Sequence, residues 1–458
     1  MKTRVKALTT YVPLSVLFDS CYEQMQAVFL DSSLQNHLGR YSIIGLRPYL
    51  TFCEKNNICF RNGEPLQMTM EEALSQYLKE NREEHDTGLP LVSGAIGYLT
   101  YDYGRKFEGI KSRHEPVVNM PDANFTFYDV LLIEDCREKK LYVTARGELS
   151  DAGQTVSEIE SWVVSVNCRG NIPKKPGLQA EFTANFEKGD YKRAICDMIK
   201  YITEGDIYIA NMTQQLMAAG SRHPYETFRC LRTYNPSPFG CYLNYGGFQI
   251  VSASPERFMR MRDGWIETRP IKGTRRRGET PEEDQRLKQE LAGSEKDRSE
   301  LLMIVDLERN DLNHVCEPGS VKVTEHFAVE TYATVFHLVT EIVGKLKPGL
   351  DVMDLIRAAF PGGSITGAPK IRAMEIIDEL EHGRRGLYTG SIGYLSLNGD
   401  CDMNIVIRTA VYQDGVYHLG VGGGITCESE PEFEYEETLQ KAKAVLEAIY
   451  DNNGSDDG

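Results

Sequence analysis

Apolar residues recur along this chain with two periods, and each period predicts a kind of element. Alternation every second residue marks strands. FMRMR and WIETR alternate on either side of Asp263-Gly264, which predicts a tight β-hairpin because such a turn needs positive φ. RYSIIG (40–45), FTFYDVLLIED (125–135) and LYVTARG (141–147) read as strands. So do GSIGYLSL, MNIVIRTAVY and VYHLGVGGGI, joined by Asn398-Gly399 and Asp414-Gly415 turns. The 3.6-residue period appears in MEEALSQYLKE (70–80) and SEIESWVVSV (157–166). It is clearest after Asp190, a predicted N-cap, where Tyr191, Ile195, Met198, Ile199 and Ile202 share a face and Gly205 ends it. Residues 281–310 return to helix, with Ser294 and Asp297 spaced as a capping box. Residues 351–360, 369–381 and 432–450 are further helices. Antiparallel hairpins in both halves, with helices between them, predict an α+β fold of large antiparallel sheets with helices outside.

Organisation follows from where the periods fail. Residues 1–170 are β-rich. The stretch 171–190, NIPKKPGLQAEFTANFEKGD, has no periodicity and reads as a boundary or crossover into a second region over 185–450. The acidic tail 451–458, DNNGSDDG, is expected to be disordered. GAIGYL (94–99) is echoed by GSIGYL (390–395), each in a strand context.

Composition narrows the class. The 458 residues are 41% hydrophobic and 26% charged, which is globular. A net charge of −16 argues against broad nucleic-acid binding. Arg269, Lys272, Arg275, Arg276 and Arg277 are a local basic exception that suits either a small anion or solvent. Eleven cysteines without a CxxC pair read as reduced thiols of a cytoplasmic protein. No signal peptide and no membrane-length apolar run is visible.

Several groups carry possible chemistry. Folding at Asp263-Gly264 brings Glu256 towards Lys272, although Pro255 and Pro270 disturb regular pairing; the two form either an acid beside a nucleophile or a surface ion pair. Asp297 and Glu300 share one helix face, and Glu434 and Glu437 another; such carboxylates suit a magnesium ion or merely favour helix N-termini. FPGGSITGAPK (360–370) is not a P-loop but offers an anion cradle, or a turn with Pro369 at the first helical position. VGGGI (421–425) follows a strand and permits close ligand approach, or is a flexible loop. Arg408, in the strand MNIVIRT, is a candidate carboxylate clamp or an ordinary exposed strand arginine. His337 sits in an apolar run and reads equally as a core histidine.

SPERF, RPIKGT, KDRSELLMIVDLERND, FPGGSITGAPKIRAMEIIDELE, GSIGYLS, IVIRT, GGGI and EYEET, in this order, resemble the chorismate-utilising enzymes. The resemblance is dense over 190–450 and looser before it. It implies two large antiparallel β-sheets packed as a sandwich with helices on the outside, the two regions merging in one body. It implies Mg2+ held through Glu300 and Glu437, with Glu434 behind them. Arg408, Tyr388 and the backbone of Gly422, Gly423 and Gly424 match residues that bind the enolpyruvyl carboxylate, and Ser364, Gly367 and His337 match others of the pocket. Lys272, in PIKGT, is typical of the branch that makes aminodeoxychorismate, where anthranilate-forming members resemble PIAGT. The implied chemistry is attack by Lys272 on chorismate with Glu256 as general acid, then amination by ammonia. No G-x-C-x-G elbow is present, so the ammonia implies a partner glutamine amidotransferase. FLDSS (29–33) and NPSPFG (235–240) resemble a tryptophan site of many relatives, with Ser32, Tyr41, Pro238 and Phe239 as candidates or as a vestigial pocket. The alternatives are an anthranilate-forming large chain and a non-catalytic tryptophan-binding regulator; the second predicts loss of Glu256, Glu300 or Glu437, all of which are present.

Overall fold

The computed structural model describes residues 2–166, 173–177, 181–220, 222–331 and 335–450. Two long strands, Tyr41–Lys55 and Ala123–Asp135, organise it. They pair antiparallel from Tyr41↔Asp135 to Glu54↔Ala123. Midway the register slips between Pro48 and Leu50, and Arg47 takes φ 56°. A proline gives the ladder no donor and a bulge bends its strand, so the pair turns a corner there. The sequence pattern suggested a strand ending near Gly45; Arg47-Pro48 is a bend within a strand that runs on to Lys55.

Each half of the long pair belongs to a different sheet. On the first, Val28–Asp31 lies beside Tyr41–Lys55. It is followed by Phe239–Asn244, Gln249–Ser254, Thr409–Gln413, Val416–Ile425 and Ile209–Ala218. On the second, Gly94–Leu99 lies beside Ala123–Asp135. Ser391–Ser396, Cys401–Asn404, Arg257–Arg262, Trp265–Thr268 and Val335–Lys345 follow it. These ladders are antiparallel, and the strands of the described residues join in one network of 22. The architecture is α+β with sheets in face-to-face layers, as expected, but the layers are continuous through the two bent strands.

Alternation then has a clear meaning. Ile43, Leu131, Ile133, Cys241, Leu243 and Ile250 of the first sheet meet Ile96, Tyr98, Ile392 and Tyr394 of the second in a layer between the sheets. Their sequence neighbours Ile44, Val130, Leu132, Tyr242 and Val251 face outward against helices Ala152–Ser165, Pro224–Tyr234 and Pro431–Ile449. The outer face of the second sheet packs on Met70–Glu80, Glu295–Val315 and Val352–Ala359. With both faces covered, a one-residue slip would exchange two cores rather than a core and a surface.

Helix ends differ in detail from the expectation. Glu187, not Asp190, is the N-cap of Lys188–Thr203, so Asp190 lies in the first turn, where the macrodipole favours an acid. Residues 281–310 hold two helices, Pro281–Gly293 and Glu295–Val315. Ser294 ends the first and caps the second, accepting from the Asp297 N–H at 3.3 Å. The echo is a pair of facing strands: Gly97 lies opposite Gly393, Ile96 opposite Tyr394 and Tyr98 opposite Ile392. The acidic tail and part of 171–190 lie outside the described residues.

Candidate active site

Glu256 and Lys272 reach one cavity from the open end of the hairpin. Arg257–Arg262 and Trp265–Thr268 pair across Asp263 and Gly264, whose φ values of 50° and 71° make the expected tight turn. Past Thr268 the chain abandons its hairpin partner. Pro270 interrupts it, and Ile271–Arg276 pairs instead with Val335–Lys345, Ile271 opposite Val339. Lys272 sits at a bulge in that ladder beside Gly273, which has φ 74°. A Cβ on Gly273 would lie 2.8 Å from Asp297 Cγ, so glycine lets this strand press against the helix carrying Glu300.

Ser364 joins the pair. Its hydroxyl donates to Glu256 Oε1 at 3.1 Å, and its carbonyl accepts from Lys272 Nζ at 3.3 Å. Burial raises the pKa of Glu256, against the pull of Lys272 and the Ser364 hydrogen bond. Burial lowers the pKa of Lys272, against Glu300 and Glu256. A carboxyl disposed to keep its proton thus faces an amine disposed to lose one. The neighbouring arginines do not form an anion site. Arg269 pairs with Glu325, Glu330 and Glu341, Arg275 with Glu290 and Asp297, Arg276 with Glu283 and Arg277 with Asp284. Their charges are spent on carboxylates, and of the five basic groups Lys272 alone makes no ion pair among the described residues.

The cavity has a volume of about 590 Å³, within the range of small-molecule sites. Besides Glu256 and Lys272 it is lined by Glu300, His337, Ser364, Tyr388, Arg408, the glycines 422–424, Glu434 and Glu437. Gly367 is not in its wall. A Cβ there would lie 2.3 Å from the Ile209 carbonyl, so this glycine serves strand packing. Lys370, at the end of the same loop, is buried and bonded to Asp311 at 2.5 Å, and Pro369 is the N-cap rather than the first helical residue. The loop therefore supplies Ser364 to the cavity without cradling an anion through its lysine.

Arg408 stands outside regular strand, between Cys401–Asn404 and Thr409–Gln413, with φ 50°. That left-handed backbone explains why the apolar run around it does not continue as a strand. Burial lowers the pKa of its guanidinium, and no carboxylate pairs with it among the described residues. Arg408 is half-buried, and a guanidinium so placed beside the cavity is suited to meet a ligand carboxylate. His337 Nδ1 lies 2.9 Å from Thr274 Oγ1. Burial, then Arg408, lower its pKa to about 4, so it offers a neutral imidazole near pH 7.

Gly422, Gly423 and Gly424 lie inside the strand Val416–Ile425, opposite Thr213, Met212 and Asn211, not in a loop after it. A Cβ on Gly424 would lie 3.4 Å from Lys272 Nζ. One on Gly423 would lie 3.1 Å from Glu437 Oε2 and 3.2 Å from Glu434 Oε2. The glycines keep open the space between the amine and the carboxylates. Ser429 Oγ donates to Glu434 at 2.7 Å. Burial raises the pKa of Glu300, and Asp297 and Glu437 raise it further against Lys272 and Lys296. Among the described residues no three acidic, histidine or cysteine groups close round a metal on their own. Repelling carboxylates of this kind fit magnesium, which takes one or two of them with waters and a substrate oxyanion.

Several lining residues escaped the sequence reading, among them Lys296, Lys441 and Asn211. Lys441 Nζ donates to the Gly422 carbonyl at 3.0 Å and pairs with Glu437 at 3.3 Å; its place four residues after Glu437 was the available signal. Asn211 has a buried Oδ1 without a hydrogen-bond partner, for which the strand pattern holds no signal. Elsewhere, Ser32, Tyr41, Pro238 and Phe239 line one small cavity of about 90 Å³ with Asp31 and Leu38. Ser32 Oγ lies 2.7 Å from the Tyr41 carbonyl, and Asp31 pairs with Arg232 at 3.1 Å.

Known proteins resemble this chain in sequence and fold. A chorismate binding enzyme family model matches residues 26–447. Aminodeoxychorismate synthase component 1 of Bacillus subtilis is 40% identical over 425 residues, 90% of this chain and 89% of that one. Anthranilate synthase component 1 of Aquifex aeolicus is 36% identical over 457 residues, 96% and 92% of the two chains. The crystal structure of anthranilate synthase component I from Streptococcus pneumoniae superposes with a TM-score of 0.81 at 30% identity, covering 90% of this chain and 93% of that one. A solved menaquinone-specific isochorismate synthase of Escherichia coli shares the fold at 19% identity, with a TM-score of 0.73 over 98% and 94% of the two chains. With a family match over nearly its whole length, this chain belongs to the chorismate binding enzymes and acts on chorismate.

Proposed function

We propose that the chain is an aminodeoxychorismate synthase large component, making 4-amino-4-deoxychorismate from chorismate and ammonia. The observation that carries this reading is Lys272: an amine without an ion pair among the described residues, its pKa lowered by burial, beside a carboxyl whose pKa is raised. Arg408 takes the enolpyruvyl carboxylate, with the backbone at Gly422–Gly424. Glu300 and Glu437 would hold magnesium, with Glu434 behind, and the ion would neutralise and orient the ring carboxylate.

The reaction then proceeds in two displacements. The Lys272 nitrogen bonds to ring carbon 2, both ring double bonds shift by one position, from 1–2 and 5–6 to 1–6 and 4–5, and the carbon 4–oxygen bond breaks. Glu256 protonates the departing hydroxyl, which leaves as water, and the resulting carboxylate takes the surplus proton from the lysine nitrogen. Ammonia next bonds to carbon 4 and both double bonds shift back. The carbon 2–nitrogen bond breaks, Glu256 protonates the departing Lys272, and the carboxylate recovers a proton from the new amine.

The component 1 names of the relatives support a second subunit, and we assign it the role of a glutamine amidotransferase supplying ammonia. Free thiols throughout the described residues suit a cytoplasmic setting, and no described helix is long and apolar enough to cross a membrane. Anthranilate formation is the second reading, favoured by the 36% identity to the Aquifex enzyme over 96% of the chain. Incubation with chorismate, magnesium and ammonium, followed by mass spectrometry, separates the two. The expected product is 4-amino-4-deoxychorismate, and fluorescent anthranilate with release of pyruvate would reject the assignment. Without ammonium, intact-protein mass spectrometry should show Lys272 carrying chorismate less one water. Lys272→Ala should lose at least about 100-fold in rate, the scale of a lost catalytic group.

A further inference from the structure

Asn211 lines the catalytic cavity, and the two displacements make no use of it. It sits in Ile209–Ala218 directly opposite Gly424. Residues opposite each other in an antiparallel pair put their side chains on one face, with Cβ atoms about 4.5–5.5 Å apart. A Cβ on Gly424 would lie 3.4 Å from Lys272 Nζ. Asn211 therefore shares a face with the amine, and the bare glycine leaves the space between them open. Its backbone is tied to the loop of Ser364. The Asn211 N–H donates to the Thr366 carbonyl at 2.7 Å. Arg385 donates to the carbonyls of Asn211 at 2.5 Å and of Ile365 at 2.8 Å. Glu381 pairs with Arg385 at 2.7 Å and accepts from Thr213 Oγ1 at 2.8 Å. A buried ion pair thus locks Asn211 to the loop whose Ser364 hydroxyl serves Glu256.

The backbone is fixed, but the side chain is unanswered. Asn211 is 9% exposed, and its Oδ1 is buried with no hydrogen-bond donor among the described residues. A buried acceptor without a partner is costly, so a cavity wall that keeps one suits a ligand that donates. Near pH 7 both carboxyls of chorismate are ionised and its ether oxygen only accepts, which leaves the 4-hydroxyl as its one hydrogen-bond donor. An asparagine amide turns about its last bond between two broad settings, and one half-turn exchanges its oxygen and nitrogen at the cavity. A carboxylate in the same place would also accept, but its charge would favour the protonated form of Lys272. The amide accepts without charge and leaves the amine free to attack.

We infer that Asn211 Oδ1 accepts a hydrogen bond from the substituent at carbon 4, the hydroxyl of chorismate first and the amine of the product afterwards. That bond turns the hydroxyl hydrogen towards Asn211 and leaves a lone pair of the same oxygen to receive the proton of Glu256. The inference rests on the proposed reading, which puts carbon 4 at Glu256. The test uses the full chain carrying Lys272→Ala, which lacks the nucleophile, with magnesium and no ammonium. Calorimetric titration compares chorismate with an analogue bearing hydrogen in place of the 4-hydroxyl. Chorismate should bind at least about tenfold more tightly. Adding Asn211→Leu or Asn211→Ala should reduce that preference at least about fivefold, whereas an asparagine that merely supported its strand would weaken both ligands alike. Melting temperature identifies a folded variant, and one suffices. A folded variant that keeps the full preference overturns the inference. So does equal binding of the two ligands, within about twofold, when Asn211 is present. Failure of the Lys272→Ala chain to bind chorismate at all overturns the reading of the cavity, and the role of Asn211 with it.

Discussion

Arg408 illustrates how much a single residue's environment adds to its identity. The sequence offered an arginine in an apolar run; the structure adds a left-handed backbone, a half-buried setting and, among the described residues, no carboxylate partner. Arg408→Lys should therefore raise the chorismate KM by about 10- to 100-fold, the value of a lost charged hydrogen-bond pair, with a smaller change in kcat. Steady-state kinetics against chorismate checks this. Glu308 is the opposite case, unremarkable within its motif and unusual in its setting. Burial pushes its carboxyl up to about 8. Thr268 Oγ1 lies 2.8 Å from the Phe258 carbonyl and 2.9 Å from Glu308 Oε2. The hydroxyl has one proton, so when it serves the carbonyl the second bond needs a protonated Glu308. The folded chain then holds a proton that the unfolded chain releases near pH 4.5, and stability falls as pH rises from there through about 8. Glu308→Gln keeps a donor and removes that slope. Its melting temperature should exceed wild type by a few degrees at pH 8 and match it at pH 5, as scanning calorimetry would read.

Among the elements, those with local signals were the legible ones. Asp263-Gly264 announced the hairpin, and the cap at Ser294 and the stripe over 70–80 announced helices. Elements set by tertiary contact were not. Nothing local shows that Tyr41–Lys55 survives Arg47-Pro48, because the reason lies in its partner strand. Nor does anything local say whether Gly422–Gly424 belong to the strand or follow it as a loop, since their pairing with Ile209–Ala218 comes from elsewhere in the chain. The echoed strands show what glycine does here. A Cβ on Gly393 would meet the Asp402 carbonyl at 2.1 Å, and one on Gly97 the Asn124 carbonyl at 1.9 Å. Gly393→Ala should destabilise by about 3 kcal/mol or more, the upper end for overpacking, and denaturant unfolding would measure it.

For the whole molecule, the α+β class followed from periodicity, and many of the residues that line the large cavity had been named by motif resemblance. The place of Asn211 in that wall did not, since it depends on which surfaces the sheets bring together. Volume decides a further point. The cavity of Ser32, Tyr41, Pro238 and Phe239 measures about 90 Å³, against about 300 Å³ for the smallest usual ligand pockets, and Asp31 is already engaged by Arg232. Millimolar tryptophan should therefore give no heat in a calorimetric titration and leave amination unslowed; inhibition at micromolar tryptophan would contradict this.

The two bent strands have a consequence for how the chain comes apart. Val28–Asp31 is flanked by Tyr41–Lys55 and Phe239–Asn244, and Gly94–Leu99 by Ala123–Asp135 and Ser391–Ser396. A chain severed after Val166 would leave two fragments, each with raw sheet edges that only the other can cover. Neither piece is a separable module, and the pair would behave as obligate complements, recovering activity when produced together and aggregating when produced apart.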